Sequence, residues 1–271
     1  MKEYLIAVDL EGVHGTVGEP YGKLTKDAAP YAAAVEAAEA EVNTVARTLF
    51  ACGADRVVVW DNHAGGGNLR REALDARIET ADTANDAYRM DFVKNYRFAG
   101  AFFIGYHAME GTPNGVLAHT FSSTAIQYAK LDGVPIGELG VDSYILDSYG
   151  VPSLFLSSDD VCIREMRAMY PSIYAVTTKY GKGRNRAELL SRETVLAAME
   201  KTVRAAVCEP VAYTPRPFPT GSVLEVRHTR AEHAEEMLLR LKDTDTPATY
   251  GEDTHTLLAV IRHPKQMPKM L

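Results

Sequence analysis

Three apolar runs in this chain end in residues of the types that bind metal ions. The runs with their polar ends are residues 4–12, 57–63 and 101–107. Each has the length and the β-branched or aromatic content of a buried parallel strand. Ligands of open α/β sheets bind just outside the carboxyl ends of such strands. We therefore expect Asp9, Glu11, His63 and His107 to meet there, as a set that suits zinc or a similar divalent ion.

The first of these ends carries two acids, Asp9 and Glu11, followed by Gly12. Side chains two residues apart on a strand point to the same face, so both carboxylates can reach one metal centre. The glycine then lets the backbone turn away tightly. A pair of solvated acids at a strand end would leave the same pattern.

The second end repeats this spacing with Asp61 and His63. Imidazole is the commonest metal ligand, and its other nitrogen usually needs a carboxylate or carbonyl partner. Asp61 could be that partner, or it could cap the following turn. Three glycines at 65–67 predict an open loop, which lacks the Gly-Lys-Ser/Thr of a phosphate-binding loop. A lone histidine here could also be structural.

Two further candidates follow His107 along the chain. His119 is expected on the first strand of a hairpin, and one of these two imidazoles could be a ligand while the other is catalytic. Alternatively, His119 could be a structural histidine that forms hydrogen bonds on a half-buried strand. Glu138 is expected at a loop-to-helix junction, where an acid also has an ordinary electrostatic reason to stand.

Together these residues give three acids and two imidazoles as candidate ligands, with His119 beside them. Five ligands are more than one catalytic zinc usually takes, and one bridging carboxylate would serve a pair of ions. Two-metal sites hold their ions ~3.5–4 Å apart and activate water for the hydrolysis of amides or phosphate esters. The sequence therefore predicts a metal-dependent hydrolase.

Strands alternate with helices over the first two-thirds of the chain. This alternation predicts an α/β fold with a three-layer, doubly wound and mostly parallel sheet. Helices are predicted over 30–52 (with Gly53 as its C-terminal cap), 87–96, 138–149, 192–207 and 230–242, and another begins at 159–160. Later strands are predicted over 99–104, 154–157, 174–178, 222–227 and 257–261.

Two stretches interrupt the alternation. Residues 115–136 are predicted to form a β-hairpin, with Asp132-Gly133 as its turn. Residues 214–221 form a proline-rich linker. We expect a catalytic α/β domain over 1–213 and a small α+β lobe over 214–271, with the hairpin as a candidate part of that lobe.

The bulk composition restricts the possible partners. The chain has 271 residues and a formal charge of −7, which argues against nucleic acid or an anionic membrane as the main partner. No apolar stretch approaches the ~20 residues that span a bilayer, and the strand expected from the first residues leaves no room for a signal peptide. Three cysteines without a short spacing suit a reducing compartment. We therefore expect a cytoplasmic protein.

The motifs as a set resemble the zinc-dependent D-aminopeptidase family that is associated with bacterial dipeptide-transport operons. The shared segments are residues 8–12, 61–63, 103–107, 119, 135–140 and 158–160. Each segment is short, but they span residues 1–160 in the order of the family.

The resemblance implies a two-zinc aminopeptidase that hydrolyses short peptides from the free N-terminus through an activated water. By position, Asp9 would bridge the two ions, and Glu11, His63, His107 and Glu138 would complete their coordination. His119 would be the catalytic residue, as an acid or base, an oxyanion stabiliser or a nucleophile. The resemblance also implies a ring-shaped homo-oligomer.

Two other functions fit parts of the pattern. A two-metal phosphoesterase would use the same residue types, and hydrolysis of a nitrophenyl phosphate but not of amino-acid amides would favour it. A peptide-binding protein would bind peptides in zinc without turnover. The basic segment 179–186 is interpreted as a surface loop, which could meet a substrate carboxylate or a neighbouring subunit, or simply be solvated.

Overall fold

The computed structural model describes residues 1–20, 22–209 and 213–271. The strands in these ranges are β1 (Glu3–Val8), β2 (Arg56–Asp61), β3 (Glu79–Thr80), β4 (Phe98–Ile104), β5 (Ile126–Leu131), β6 (Val134–Pro135), β7 (Ser153–Asp159), β8 (Tyr174–Gly183), β9 (Arg186–Leu189), β10 (Ser222–His228), β11 (Ala248–Tyr250) and β12 (Thr256–Ile261). The α-helices are α1 (Tyr31–Ala51), α2 (Glu138–Ser148), α3 (Asp160–Met169), α4 (Arg192–Cys208) and α5 (Ala231–Leu241). No helix in these ranges is long and apolar enough to cross a membrane.

The main sheet has the strand order β3-β2-β1-β4-β7-β8-β9. All its neighbouring strands are parallel except β8 and β9, which form an antiparallel edge. The strand β1 lies between β2 and β4, so the carboxyl ends of these three strands are adjacent. This confirms the predicted α/β fold with its mostly parallel sheet.

The side chains of β1 alternate between the two faces of the sheet. Ile6 and Val8 belong to the core that α1 and α4 cover, where Val42 and Met199 are fully buried. Leu5 belongs to the core on the other face, together with residues of α2 and of the second sheet. The three layers follow from this alternation, because each face of a buried parallel strand needs its own apolar cover.

The second sheet has the order β11-β12-β10-β5-β6 and is antiparallel. Its strands β5 and β6 come from the predicted hairpin and pair with each other, and β5 also pairs with β10, as in the pairing of Val226 with Ala129. The Asp132-Gly133 turn has positive φ at both positions (50° and 79°), as expected of such a dipeptide. The domain boundary at residue 213 stays a prediction.

The predicted hairpin begins later than expected. Residues 115–125 form an irregular loop, and the first strand starts only at Ile126. Leu117 and Phe121 have positive φ values of 51° and 55°, which a regular strand cannot contain. The prediction that His119 lies on a strand was therefore wrong.

Two other segments differ from prediction. The helix expected over 87–96 is reduced to a 3-10 turn at Asp91–Asn95, because Met90 is left-handed (φ 62°) and interrupts the helical path. The basic segment 179–186 is mostly strand: β8 and β9 extend through it, and only Arg184 and Asn185 form the turn between them.

The loops that follow β1 and β4 approach each other without room for a side chain. The Gly12 amide donates to the Gly105 carbonyl at 2.6 Å. A Cβ atom on Gly12 would lie 2.0 Å from the carbonyl oxygen of Tyr106, which is backbone and cannot move aside independently. This contact fixes Glu11 relative to His107.

Gly12→Ala should therefore destabilise the fold by about 3 kcal/mol or more, because the loops must separate to admit a methyl group. Gly15→Ala is the matched control: a Cβ there meets nothing within 4 Å, and only its positive φ of 76° is unfavourable. That control should cost about 1–2 kcal/mol. Urea unfolding of both variants checks the difference, and equal losses would contradict a steric cause.

Candidate metal centre and active site

Six predicted site residues meet at the carboxyl edge of the main sheet. Asp9 and Glu11 follow β1, His63 follows β2, His107 follows β4, Glu138 is the first residue of α2, and His119 lies in the loop before β5. All are buried except His119, which is partly exposed. All except His107 line a cavity of about 290 Å³.

His63 bridges the two acids of the first motif. Its Nε2 lies 2.7 Å from the Leu24 carbonyl oxygen, so Nε2 carries a proton and donates it. Its Nδ1 lies 2.9 Å from Asp9 Oδ1 and 3.1 Å from Glu11 Oε2. Burial opposes a charge on this ring, but the two carboxylates outweigh burial and raise the pKa of His63 to about 12.

His107 has a similar arrangement on the other side of Asp9. Its Nδ1 donates to the Ala108 carbonyl at 3.0 Å. Its Nε2 is 3.5 Å from Asp9 Oδ2 and 3.4 Å from Glu138 Oε1. Neither contact completes a hydrogen bond, so Nε2 is buried without a partner among the described residues. Such an orphaned nitrogen facing two carboxylates fits a metal ligand.

His119 stacks on His107, with ring centroids 3.8 Å apart and planes 14° from parallel. Its Nδ1 donates to the Leu117 carbonyl at 2.9 Å, and its Nε2 lies 3.8 Å from Glu138 Oε1. Burial and the neighbouring His107 lower the pKa of His119 to about 4. The neutral ring therefore has its lone pair on Nε2.

The three carboxylates differ in their surroundings. Burial raises the pKa of Asp9, but hydrogen bonding to His63 and the charge of His107 outweigh it and hold that pKa below its usual range. Burial and the charge of Asp9 raise the pKa of Glu11 to about 7. Burial also disfavours charge on Glu138, yet the nearby imidazole of His107 lowers its pKa. Glu138 Oε1 accepts the backbone amide of Phe121 at 2.8 Å.

Asp61 is not the hydrogen-bonding partner of the His63 ring. Its Oδ2 accepts the amides of Asn68 and Leu69 at 2.6 and 3.0 Å. Of the two roles open at the sequence level, the structure therefore gives Asp61 that of capping the glycine loop. The partner of His63 is the Leu24 carbonyl.

The donor set fits divalent metal ions. Among residues 1–20, 22–209 and 213–271, two groups of three side chains can each offer ligand atoms within 4.8 Å of one another. They are Asp9, Glu11 and His107, and His107, His119 and Glu138. The mixture of imidazole nitrogen and carboxylate oxygen is typical of zinc. His119 thus lies within the second group of possible ligands.

A buried ion pair behind Glu138 was not found from the sequence. The Arg89 guanidinium donates to both oxygens of Asp142, at 2.6 and 2.9 Å, and lies 4.0 Å from Glu138 Oε2. The rings of Trp60 and Phe121 contact it, with their centroids 4.8 and 5.1 Å from Cζ. Asp142 lies one turn after Glu138 on α2, and this spacing was the only sequence signal that Asp142 lies near the site. Nothing in the sequence indicated Arg89.

Lys179 and Thr178 hold the loop after β1 and were also missed. The Lys179 ammonium donates to the carbonyls of Glu11 and Val13 at 2.6 and 2.8 Å. The Thr178 hydroxyl donates to the Gly12 carbonyl at 2.6 Å. Burial lowers the pKa of Lys179 to about 8. A lysine in a basic segment gave no indication that it would be fully buried.

Comparisons with known proteins identify the fold and the family of this chain. A D-aminopeptidase from Bacillus subtilis (strain 168) is 28% identical over 191 residues, which cover 70% of this chain and 68% of that protein. The solved structure of the Zn-dependent D-aminopeptidase DppA from Bacillus subtilis, described as a self-compartmentalizing protease, matches with a TM-score of 0.87. It is 23% identical, and the match covers 99% of this chain and 95% of that one, so the fold is shared.

The family model for D-aminopeptidase matches residues 1–250. The match extends well beyond residues 1–160, which carried the resemblance at the sequence level. It makes the protein a hydrolase of the aminopeptidase type. We conclude that the chain belongs to the D-aminopeptidase family.

Proposed function

We propose that this protein is a two-zinc D-aminopeptidase that removes the N-terminal residue from short peptides. One observation carries the proposal. In His63, His107 and His119, one ring N–H donates a hydrogen bond to a backbone carbonyl, and the other ring nitrogen faces buried carboxylates. Fixed imidazoles of this kind are usual around catalytic zinc.

Asp9 is the proposed bridging ligand. Its Oδ1 lies 2.9 Å from His63 and its Oδ2 3.5 Å from His107, so each oxygen serves a different imidazole. Glu11 and His63 would hold one ion, and His107 and Glu138 the other. Zinc in such a pair supplies a Lewis acid for the peptide carbonyl and lowers the pKa of water.

His119 is the proposed proton carrier. Since its Nδ1 donates to the Leu117 carbonyl, Nε2 is an acceptor and not a donor to an oxyanion. This favours a base that takes a proton from the attacking water and passes it to the leaving amine. The substrate would occupy the cavity that His119 lines together with the proposed zinc ligands Asp9, Glu11 and Glu138.

The cytoplasm is the proposed location of this reaction. Cys52, Cys162 and Cys208 are all free thiols, which suits a reducing compartment. Short peptides that reach the cytoplasm by import would then meet the enzyme there.

The proposal predicts that metal removal abolishes hydrolysis of D-Ala-D-Ala and that zinc restores it. His63→Ala and His107→Ala should each lose bound zinc together with activity, because each removes an imidazole that faces Asp9. His233→Ala on α5 serves as the control. Metal content by mass spectrometry and product release by chromatography are the measurements, with L-Ala-L-Ala as the comparison for stereochemistry.

A fully metallated and active His63→Ala/His107→Ala double variant would remove this site from consideration. Faster cleavage of the L-dipeptide would overturn the D-preference. Hydrolysis of nitrophenyl phosphate in place of dipeptides would favour the phosphoesterase, and tight peptide binding in zinc without turnover would favour the binding protein.

His119→Ala should keep its zinc and lose about 10²- to 10⁴-fold in kcat, because the positioned base is gone. Steady-state kinetics and metal content are measured on the same sample. Loss of zinc would make His119 a ligand instead, and near-normal turnover would end its catalytic assignment.

We also propose that the subunits assemble into a ring-shaped homo-oligomer. Val223 and Val260 are paired across β10 and β12 on the outer face of the second sheet, and they are 39% and 50% exposed. An exposed apolar pair of this kind suits an interface. The structural neighbour described as self-compartmentalizing supports an assembly.

In sedimentation experiments the protein should migrate well above its chain mass of 29.7 kDa. Val260→Asp should shift it towards smaller species, because an interfacial carboxylate would lose its water. Lys201→Glu, an exposed change on α4, should leave the distribution unchanged. A monomeric wild type would contradict the assembly, and an unaffected Val260→Asp would contradict the chosen face.

A further inference from the structure

Arg184 lines the same cavity as the three carboxylates, and its charge is opposite to theirs. It is the first residue of the two-residue turn between β8 and β9, in the segment interpreted from the sequence as a basic loop. Its Nη1 donates to the carbonyl oxygen of Ala118, the residue before His119. Its guanidinium therefore lies directly beside the backbone that carries the proposed base.

We propose that Arg184 binds the C-terminal carboxylate of the substrate and makes the enzyme selective for dipeptides. The inference rests on the proposed aminopeptidase function. A guanidinium this close to His119 can reach a carboxylate only if few bonds separate that carboxylate from the scissile amide. In a dipeptide the leaving residue itself carries it.

The turn that presents Arg184 is held from two sides. The Arg184 carbonyl accepts the Leu117 amide at 2.7 Å, and the Asn185 side chain donates to the Val17 carbonyl at 3.3 Å. Leu117 also accepts the proton of His119 Nδ1. The guanidinium and the imidazole are thus fixed to the same short stretch of backbone, which pre-organises their separation.

The guanidinium has donors to spare. The hydrogen bond found for its side chain in the described residues uses Nη1, and Glu110 Oε2 lies 3.7 Å from that same nitrogen. The Nε and Nη2 edge can form the paired hydrogen bonds that arginine makes with a carboxylate. The side chain is 39% exposed, so a substrate that enters the cavity from solvent can reach it.

The cavity also gives a dipeptide one direction. Arg184 attracts its carboxylate end, so its amino end lies towards Asp9, Glu11 and Glu138, the proposed zinc ligands. The cavity volume of about 290 Å³ is near the lower limit of small-molecule pockets, ~300–1,000 Å³, and suits a short substrate. Lys23 is a second cation on the lining, but its ammonium contacts Thr124 at 3.3 Å, five residues beyond His119.

The test compares kcat/KM for D-Ala-D-Ala with that for its C-terminal amide, in zinc-loaded protein. The wild type should prefer the free acid. In Arg184→Ala that preference should fall by about 10- to 100-fold, the value of a hydrogen bond to a charged group. Arg184→Lys keeps a charge and a donor for Ala118 and should recover part of the preference. Lys182→Ala, on the same hairpin and paired with Glu188 at 3.6 Å, is the control and should retain it.

An unchanged preference in Arg184→Ala would overturn the inference, as would an equal loss for acid and amide in both Arg184 variants. Loss of the preference in Lys23→Ala but not in Arg184→Ala would assign the carboxylate to the other cation. A wild type that cleaves neither substrate would instead be a failure of the proposed aminopeptidase function.

Discussion

The site depends on the burial of three carboxylates within one small region. Asp9, Glu11 and Glu138 are each less than 10% exposed, and charges removed from water are tolerated only beside opposite charges and hydrogen-bond donors. The surrounding imidazoles and Arg89 supply these partners, and metal ions would supply more. The loops after β1, β2 and β4, the start of α2, and the close contact between Gly12 and Gly105 bring those partners within reach of the carboxylates.

Much of this arrangement could be predicted from the sequence because strand periodicity is local. Apolar runs with polar ends identified β1, β2 and β4, and parallel strands leave their carboxyl ends at one edge. The positions of Asp9, Glu11, His63 and His107 followed from that rule alone. The helix start at Glu138 was predicted equally well, since the glycine before it and the apolar spacing after it are both local signals.

The remaining parts depend on contacts between distant segments, which no local pattern encodes. In the loop that carries His119, the left-handed positions are occupied by Leu117 and Phe121 and not by glycine, so the sequence there resembled that of a strand. Lys179 acts on a loop 168 positions away in sequence, and only the sheet order makes them neighbours. Arg89 is oriented by aromatic rings from two other segments. Its position therefore depends on packing between segments that are distant in sequence.

The second sheet links the site to the strands at the far end of the given sequence. The chain between His119 and Glu138 contains β5 and β6, and β5 pairs with β10, which in turn pairs with β12. Without β10, one edge of β5 would be left without a partner strand. A change that loosens β10 or β12 should therefore disturb the segment that carries the proposed base and one proposed metal ligand, although neither strand lines the cavity.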